Sequence, residues 1–331
     1  MRIRPRSTPA PAASRPRARR AVTALALAGG LASAVLAVPA AASAAPAAPS
    51  SPSDASVVVA PAPVEPAAAA GHWTPERRAA ALAADAPSAS ASASLSASAA
   101  TASPDSASDD RGASAAPVPR ADQPSVGVLF YVDGGRDRAC TASVVDTPDG
   151  DAIATAAHCL VDRRTHRAVS LATFVPGAQG ATAPHGIWPV RISTVSAAWT
   201  ATGRPSDDAG FARVSGPAGE VLAASVGAAR PVFGSTLVPA TGLAPRLAVL
   251  GYPTAGSATA TLEACAGRPH RDAGGQVALP CALGTGAAGS PVVTAAGEQR
   301  AVVARPSAGR GVLLATWGAD AERALAALHG R

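Results

Sequence analysis

The chain has 331 residues, and its composition excludes a fold that uses all of them. It contains 31 glycines and 31 prolines, and nine of its ten aromatic residues lie after position 124. The formal net charge of +6 is concentrated at one end, since seven of the 28 basic residues lie in the first twenty positions and the other 21 face 22 acidic residues. A near-neutral remainder has no electrostatic footprint for nucleic acid or for an acidic membrane.

Residues 1–44 have the three parts of a secretion signal. An Arg-rich start precedes an apolar run from Ala21 to Val38, and Ala42-Ser43-Ala44 fits an A-x-A cleavage site. A membrane anchor is the alternative, but two glycines break the run, whose length is near the lower limit for spanning. We therefore expect a signal peptide and a secreted, extracellular protein without membrane association after cleavage.

Residues 45–122 are rich in Ala, Ser and Pro, which predicts a disordered arm or a pro-segment. One island differs, because Thr74 can cap a helix that has Pro75 at its first position. A transient helix in a linker is the simpler interpretation. The alternative is a pro-segment that packs on the following domain, with Trp73 as its anchor.

Residues 123–331 consist of short apolar runs separated by Gly, Pro and Asp turns, a pattern typical of an all-β sandwich or pair of barrels. We expect two packed six-stranded antiparallel β-barrels and a C-terminal helix over 320–329. The candidate strands are 125–132, 139–145, 152–156, 189–196, 210–214, 235–239, 246–251, 259–264, 276–280, 291–294, 300–304 and 311–316.

The four cysteines are Cys140, Cys159, Cys265 and Cys281. An even number in an exported protein favours two disulfides over metal ligation. Three connectivities are possible, of which neighbour pairing closes the shortest loops. The chain has no C-x-x-C or H-E-x-x-H spacing, so we expect neither a metal nor another cofactor.

Three stretches carry residue types that suit nucleophilic catalysis. Thr155-Ala156-Ala157-His158-Cys159 places a histidine at a strand end beside a cysteine. Ser206-Asp207-Asp208-Ala209-Gly210 places two aspartates directly before the candidate strand 210–214. A glycine-rich loop runs from Gly284 to Pro291 and follows a Gly251-Tyr252-Pro253 turn.

Together these stretches resemble the trypsin-like (chymotrypsin-fold) serine peptidases, in particular their secreted actinobacterial branch. The resemblance covers about 200 residues and implies that His158 is the general base and that Asp208 orients it, with Asp207 as the alternative one residue away. It also implies that the backbone N–H groups of Gly286 and Ala288 form an oxyanion hole. The nucleophile position of the family is occupied here by Ala288, which has no hydroxyl group.

Ser290 is the only serine near that position, but two residues of extended chain shift an atom by about 6–7 Å. That displacement exceeds the hydrogen-bond reach that a general base needs. We therefore expect a monomeric peptidase homologue that has impaired catalysis and binds a protein or peptide as substrate or ligand. The alternatives are a pseudo-peptidase that binds peptides without cutting them and an active endopeptidase that uses Ser290.

Overall fold

The computed structural model describes residues 56–84, 116–120, 123–254, 261–307 and 311–329. The predicted signal segment and the Ser-Ala repeat at 88–98 lie outside these ranges. No described helix is long and apolar enough to cross a membrane.

The first barrel is a closed antiparallel sheet of six strands, because β8 pairs with both β5 and β7. The strand order is β7-β6-β3-β4-β5-β8. The sequence pattern missed β6 but located the other five strands to within a few residues. The six are β3 (Val126–Asp133), β4 (Arg136–Val145), β5 (Ala152–Ala156), β6 (Ser170–Pro176), β7 (Trp188–Ser196) and β8 (Ala209–Val214).

The second sheet curls around its own core in the order β12-β13-β16-β15-β14-β10-β11-β2, with β9 beside β15. The predicted strand over 235–239 is wrong: this segment is irregular and buries Leu237, and Gly234, Pro239 and Gly242 interrupt any pairing. The strands are β2 (Val118–Pro119), β9 (Arg230–Pro231), β10 (Leu247–Gly251), β11 (Glu263–Gly267), β12 (His270–Arg271), β13 (Val277–Leu279), β14 (Pro291–Val293), β15 (Glu298–Ser307) and β16 (Gly311–Thr316).

Aromatic and polar contacts hold the two sheets together. The rings of Phe211 and Trp317 lie 5.3 Å apart between the sheets, and Phe233 stacks on Trp317 at 5.6 Å. The buried Ser143 hydroxyl donates to Gln299 Oε1 at 3.0 Å, which links β4 to β15. Short helix α3 (Ala197–Thr202) connects β7 to β8, α4 (Leu222–Val226) lies between β8 and β9, and α5 (Ala319–Ala326) follows β16. The predicted two-barrel architecture with a C-terminal helix is confirmed.

Part of the segment expected to be disordered is folded. Strand β1 (Val57–Pro61) pairs with β7 over five residues, and helices α1 (Pro66–His72) and α2 (Pro75–Ala84) follow it. Trp73 lies between the helices, is 1% exposed, packs 5.4 Å from the Phe130 ring and donates to the Leu171 carbonyl. The composition argument fails here because the segment buries its few large apolar side chains on the surface of the barrel rather than within itself.

The disulfides take the neighbour pairing that closes the shortest loops. Cys140 bonds Cys159 across 19 residues, and Cys265 bonds Cys281 across 16. The first bridge ties β4 to the turn that follows β5, and the second ties β11 to the segment after β13.

Candidate active site

His158 lies in a cleft between the two sheets, on a short 3-10 turn spanning Ala157–Cys159. The adjacent Cys159 is buried and is bonded to Cys140, so the backbone under the imidazole is fixed from both sides. The side chain itself is 42% exposed. His158 is thus an accessible ring on a rigid support.

Asp208 faces His158 at the start of β8. Its Oδ2 is 2.7 Å from His158 Nδ1, and its Oδ1 accepts the His158 backbone N–H at 3.0 Å. Asp208 is 7% exposed, and its backbone carbonyl accepts the N–H of Ala157. The carboxylate therefore holds both the backbone and the ring of the histidine and leaves Nε2 as the ring nitrogen free to accept a proton.

Asp207, the alternative, does not meet the imidazole. Its carboxylate accepts from the Ser206 hydroxyl at 3.0 Å and lies 3.4 Å from the Thr202 hydroxyl. These contacts stabilise the turn before β8. Of the two aspartates, the structure brings only Asp208 to His158.

Neighbouring charges raise the pKa of His158 above its ordinary value. Partial desolvation of the half-exposed ring opposes protonation and is the largest single effect, but the charge of Asp208 and its hydrogen bond act in the other direction. Arg305 lowers the pKa and Asp133 raises it, both by their charges. The net direction is upward, which favours the imidazolium form.

Ala288 lies on the opposite side of the same cleft, in the loop between Gly284 and Ser290. It is half-buried and lines the cleft together with His158, Thr285 and Gly286. A methyl group neither attacks a carbonyl carbon nor shares a proton with the imidazole. The described residues thus give this cleft a histidine–aspartate pair facing a residue without a nucleophilic atom.

Two glycines shape this loop for steric reasons. Gly286 and Gly289 have φ angles of +84° and +83°, which L side chains rarely adopt. A Cβ on Gly289 would lie 2.1 Å from both the Thr141 carbonyl and the Thr155 hydroxyl, and one on Gly286 would lie 2.6 Å from the Tyr252 carbonyl. Both positions therefore require glycine whatever residue occupies position 288.

The N–H groups expected to form an oxyanion hole are available. Neither the Gly286 nor the Ala288 N–H has a hydrogen-bond acceptor among the described residues. The Ala288 carbonyl, by contrast, accepts the Thr141 N–H at 2.9 Å. The N–H groups of Ala287, Gly289 and Ser290 also form backbone hydrogen bonds, so the loop is held in place while, among the described residues, the two expected oxyanion-hole donors are left without an acceptor.

Ser290 is buried beneath the loop rather than in the cleft. It is 0% exposed, and its hydroxyl has no hydrogen-bond partner among the described residues. A Cβ added to Gly251 would lie 2.2 Å from the Ser290 Oγ, so this side chain packs against β10. A hydroxyl in that position has no route to His158.

Thr141 is a residue of this site that sequence reasoning missed. Its hydroxyl donates to the Gly286 carbonyl at 2.9 Å and accepts the Tyr252 N–H at 2.9 Å. Its carbonyl accepts the Thr155 hydroxyl at 2.7 Å. Thr141 is fully buried and connects β4 of the first barrel to the loop of the second sheet. A polar residue between Cys140 and an apolar run was the one available signal.

Cys140, His158 and Cys159 place potential metal-binding atoms within 4.8 Å of one another. The two sulfurs are joined as a disulfide, so they offer no thiolate to an ion. The cluster is the support of the imidazole.

Comparisons with known proteins define the class of this fold. No protein-family model and no curated protein sequence matches the chain. Among solved structures, the protease Anisep from Arthrobacter nicotinovorans matches with a TM-score of 0.56 and 22% identity over 62% of this chain and 95% of that chain. The thermostable serine protease AL20 from an extremophilic microorganism matches with a TM-score of 0.58 and 23% identity, covering 64% of this chain and 100% of that chain.

A Glu endopeptidase structure matches with a TM-score of 0.52 and 16% identity, covering 65% of this chain and 97% of that chain. At these identities the similarity shows the fold. The chain has the two-barrel fold of the chymotrypsin-type serine proteases.

Proposed function

We propose that this protein is a secreted homologue of the trypsin-like serine peptidases in which peptide hydrolysis is absent or very weak. The observation that carries the proposal is the pairing of His158 with Asp208 in a cleft whose opposite wall is Ala288. His158 and Asp208 have the contact that the general base and the orienting carboxylate of an acyl-transfer enzyme need. The atom that would attack the substrate is missing.

Each residue of the proposed site has a defined role. Asp208 fixes the ring orientation and tautomer of His158, and His158 Nε2 would accept a proton from a nucleophile. The free N–H groups of Gly286 and Ala288 would bind the oxygen of a scissile carbonyl. In the native chain these groups polarise a bound carbonyl but complete no reaction, because no covalent acyl intermediate forms.

A second candidate function is retention of extended peptides without cleavage. Strand β14 pairs with β15 only as far as Val302, so the same edge of β15 has no strand partner from Ala304 onward among the described residues. This edge borders the cleft at Ala304, Arg305 and Pro306. An exposed strand edge beside a cleft binds a peptide by adding it to the sheet. Pro306 lacks an N–H, which reduces the number of backbone hydrogen bonds on this edge.

An active-site-directed fluorophosphonate probe tests the loss of the nucleophile. We expect no labelling of the native chain and stoichiometric labelling of the Ala288→Ser chain at the new hydroxyl. Labelling of the native chain at Ser290 would instead establish the remaining alternative, an active enzyme, although burial of that hydroxyl disfavours it.

Restoring the hydroxyl is the sharpest test of the whole site. Ala288→Ser adds one polar atom at a half-buried position, so the free energy of unfolding should change by no more than about 0.5 kcal/mol. Loss of a working nucleophile costs a serine peptidase on the order of 10⁶ in kcat, so restoring it should raise hydrolysis of small esters by at least about 10³-fold.

The matched control is Ala288→Ser combined with His158→Ala, which should return the rate to that of the native chain. If Ala288→Ser folds normally, reacts with no probe and hydrolyses no ester, the geometry of His158 and Asp208 no longer supports catalysis. The proposal that this site lacks only its nucleophile would then be wrong.

We further propose that residues 56–84 stay with the domain after export and are not a removable pro-segment. Besides the contacts of Trp73, the Arg77 guanidinium pairs with both oxygens of Asp137 at 2.8 and 3.1 Å. The buried Arg78 donates to the carbonyls of Trp73 and Ala181. After insertion of a protease site between positions 85 and 115 and cleavage there, fragment 56–84 should co-elute with the domain in size-exclusion chromatography. Its loss under native conditions would contradict this proposal.

A further inference from the structure

A depression beside His158 has an apolar floor and a charged rim. Its floor is formed by three buried side chains, Val161, Val169 and Trp199. Its rim carries charged residues from three different segments of the chain. They are Asp133, Asp162, Arg163, Arg164 and Arg305.

Two of the three aspartates that line the depression already have hydrogen-bond partners within the protein. Asp208 is held by His158, and the Asp162 carboxylate accepts the backbone N–H groups of Arg164 at 2.7 Å and Thr165 at 3.0 Å. Asp133 is the one remaining acid among the described residues that line the depression.

The positive charge is uncommitted. Arg163, Arg164 and Arg305 are exposed, and none forms an ion pair with a carboxylate among the described residues. Arginines elsewhere on the surface do find partners, as Arg77 does with Asp137 and Arg300 with Glu298. Three guanidinium groups without a carboxylate at ion-pair distance, among the described residues, therefore surround an apolar floor. Asp162 keeps its charge and acts on the neighbouring Arg164, which leaves Arg163 and Arg305 as the two arginines available to a ligand.

Two of the guanidinium groups are placed to meet a peptide. Arg305 belongs to the unpaired edge of β15 and is close enough to His158 to influence its titration. Arg163 lies against Gly203, since a Cβ at position 203 would lie 3.1 Å from Arg163 Nε. A peptide added to the edge of β15 would carry one side chain over Trp199 and past both arginines.

We propose that this cleft selects extended peptides with an acidic side chain at the position that enters the depression. This inference rests on the proposed peptide-binding function and names its ligand class. The stem of a glutamate covers the apolar floor, and its carboxylate receives charge-assisted hydrogen bonds from Arg305 and Arg163. No bond is made or broken in this step.

The test uses the native chain and a set of fluorescein-labelled hexapeptides in which each position is fixed in turn as Glu or Gln. At one position Glu should bind at least about tenfold more tightly than Gln, measured by fluorescence anisotropy at low salt. The preference should weaken at high salt. Arg305→Gln and Arg163→Gln should each remove most of it, whereas Arg204→Gln, at an exposed arginine that does not line the depression, should leave it intact.

The double variant Arg163→Glu with Arg305→Glu provides the test that a general loss of binding cannot imitate, because replacing both guanidinium groups with carboxylates should reverse the preference in favour of Lys over Gln at the same position. Peptides that bind without any preference for Glu would overturn this inference while leaving peptide retention standing. If no peptide binds, both the proposed retention of peptides and the proposed preference for Glu are wrong. The Ala288→Ser chain still separates the two proposals, because its ester hydrolysis tests the His158 site without reference to peptide charge.

Discussion

Thr141 provides the most direct test of how the loop around Ala288 is held. Thr141→Val keeps the shape of this fully buried side chain but removes its hydroxyl. The Gly286 carbonyl and the Tyr252 N–H, each bonded to that hydroxyl at 2.9 Å, then lose their partner. An unsatisfied buried polar group costs roughly 1–3 kcal/mol, so the loss of partners for two such groups should lower the free energy of unfolding by about 2–6 kcal/mol.

Urea unfolding followed by tryptophan fluorescence measures this change. Thr141→Ser keeps both hydrogen bonds and loses one methyl group, so it should cost only about 1 kcal/mol. Thr261→Val, which removes an exposed hydroxyl without a hydrogen-bond partner among the described residues, should change stability by no more than about 0.5 kcal/mol. If Thr141→Val unfolds at the same urea concentration as the native chain, these hydrogen bonds do not hold the loop. In the Ala288→Ser background, a folded Thr141→Val chain should lose kcat more than it changes KM, because the Gly286 N–H is no longer positioned.

Two further predictions concern the pair in the cleft and the buried serine. Because the pKa of His158 is raised on folding, its protonated form stabilises the fold at pH values below its ordinary pKa, and this contribution disappears as the pH rises through the raised pKa. An NMR titration of His158 should show a midpoint above the ordinary value of about 6.5, and Asp208→Asn should lower that midpoint. A midpoint that does not move in the variant would contradict the assignment of the raised pKa to Asp208. Ser290→Ala removes a buried hydroxyl without a partner, so thermal unfolding should show unchanged or slightly increased stability, by up to about 1 kcal/mol. In the Ala288→Ser background the same change should leave ester hydrolysis intact, and its loss would mean that Ser290 takes part after all.

The parts of the site that could be predicted from the sequence are those encoded in short contiguous stretches. His158 and Cys159 are adjacent, and the strand pattern around them places the imidazole at the end of β5. The order of segments left a choice between Asp207 and Asp208, which the backbone turn resolves by directing only Asp208 at His158. Local pattern thus located the site but did not fix its geometry.

The parts that could not be predicted depend on contacts between distant segments. Residues 56–84 contain mostly small apolar side chains and too few large ones to form a core alone, and the surface around Phe130 gives Trp73 a place to be buried. Thr141 meets Gly286 across 145 positions of sequence, and a single threonine in an apolar strand carries no mark of that contact. The sequence near each of these residues does not identify the distant segment whose contact gives the residue its role.

The glycine-rich loop illustrates why a retained motif is weak support for a retained activity. Gly286 and Gly289 are required because any Cβ there would collide with the Tyr252 carbonyl or with Thr141 and Thr155. These collisions involve the backbone and buried core of the fold and are the same with alanine or serine at position 288. The loop would therefore keep its glycines for stability alone after the loss of a nucleophile. Whether the cleft binds a ligand must be decided by groups that the fold does not need. The guanidinium groups of Arg163 and Arg305 are such groups, because both are exposed and neither bonds a partner among the described residues.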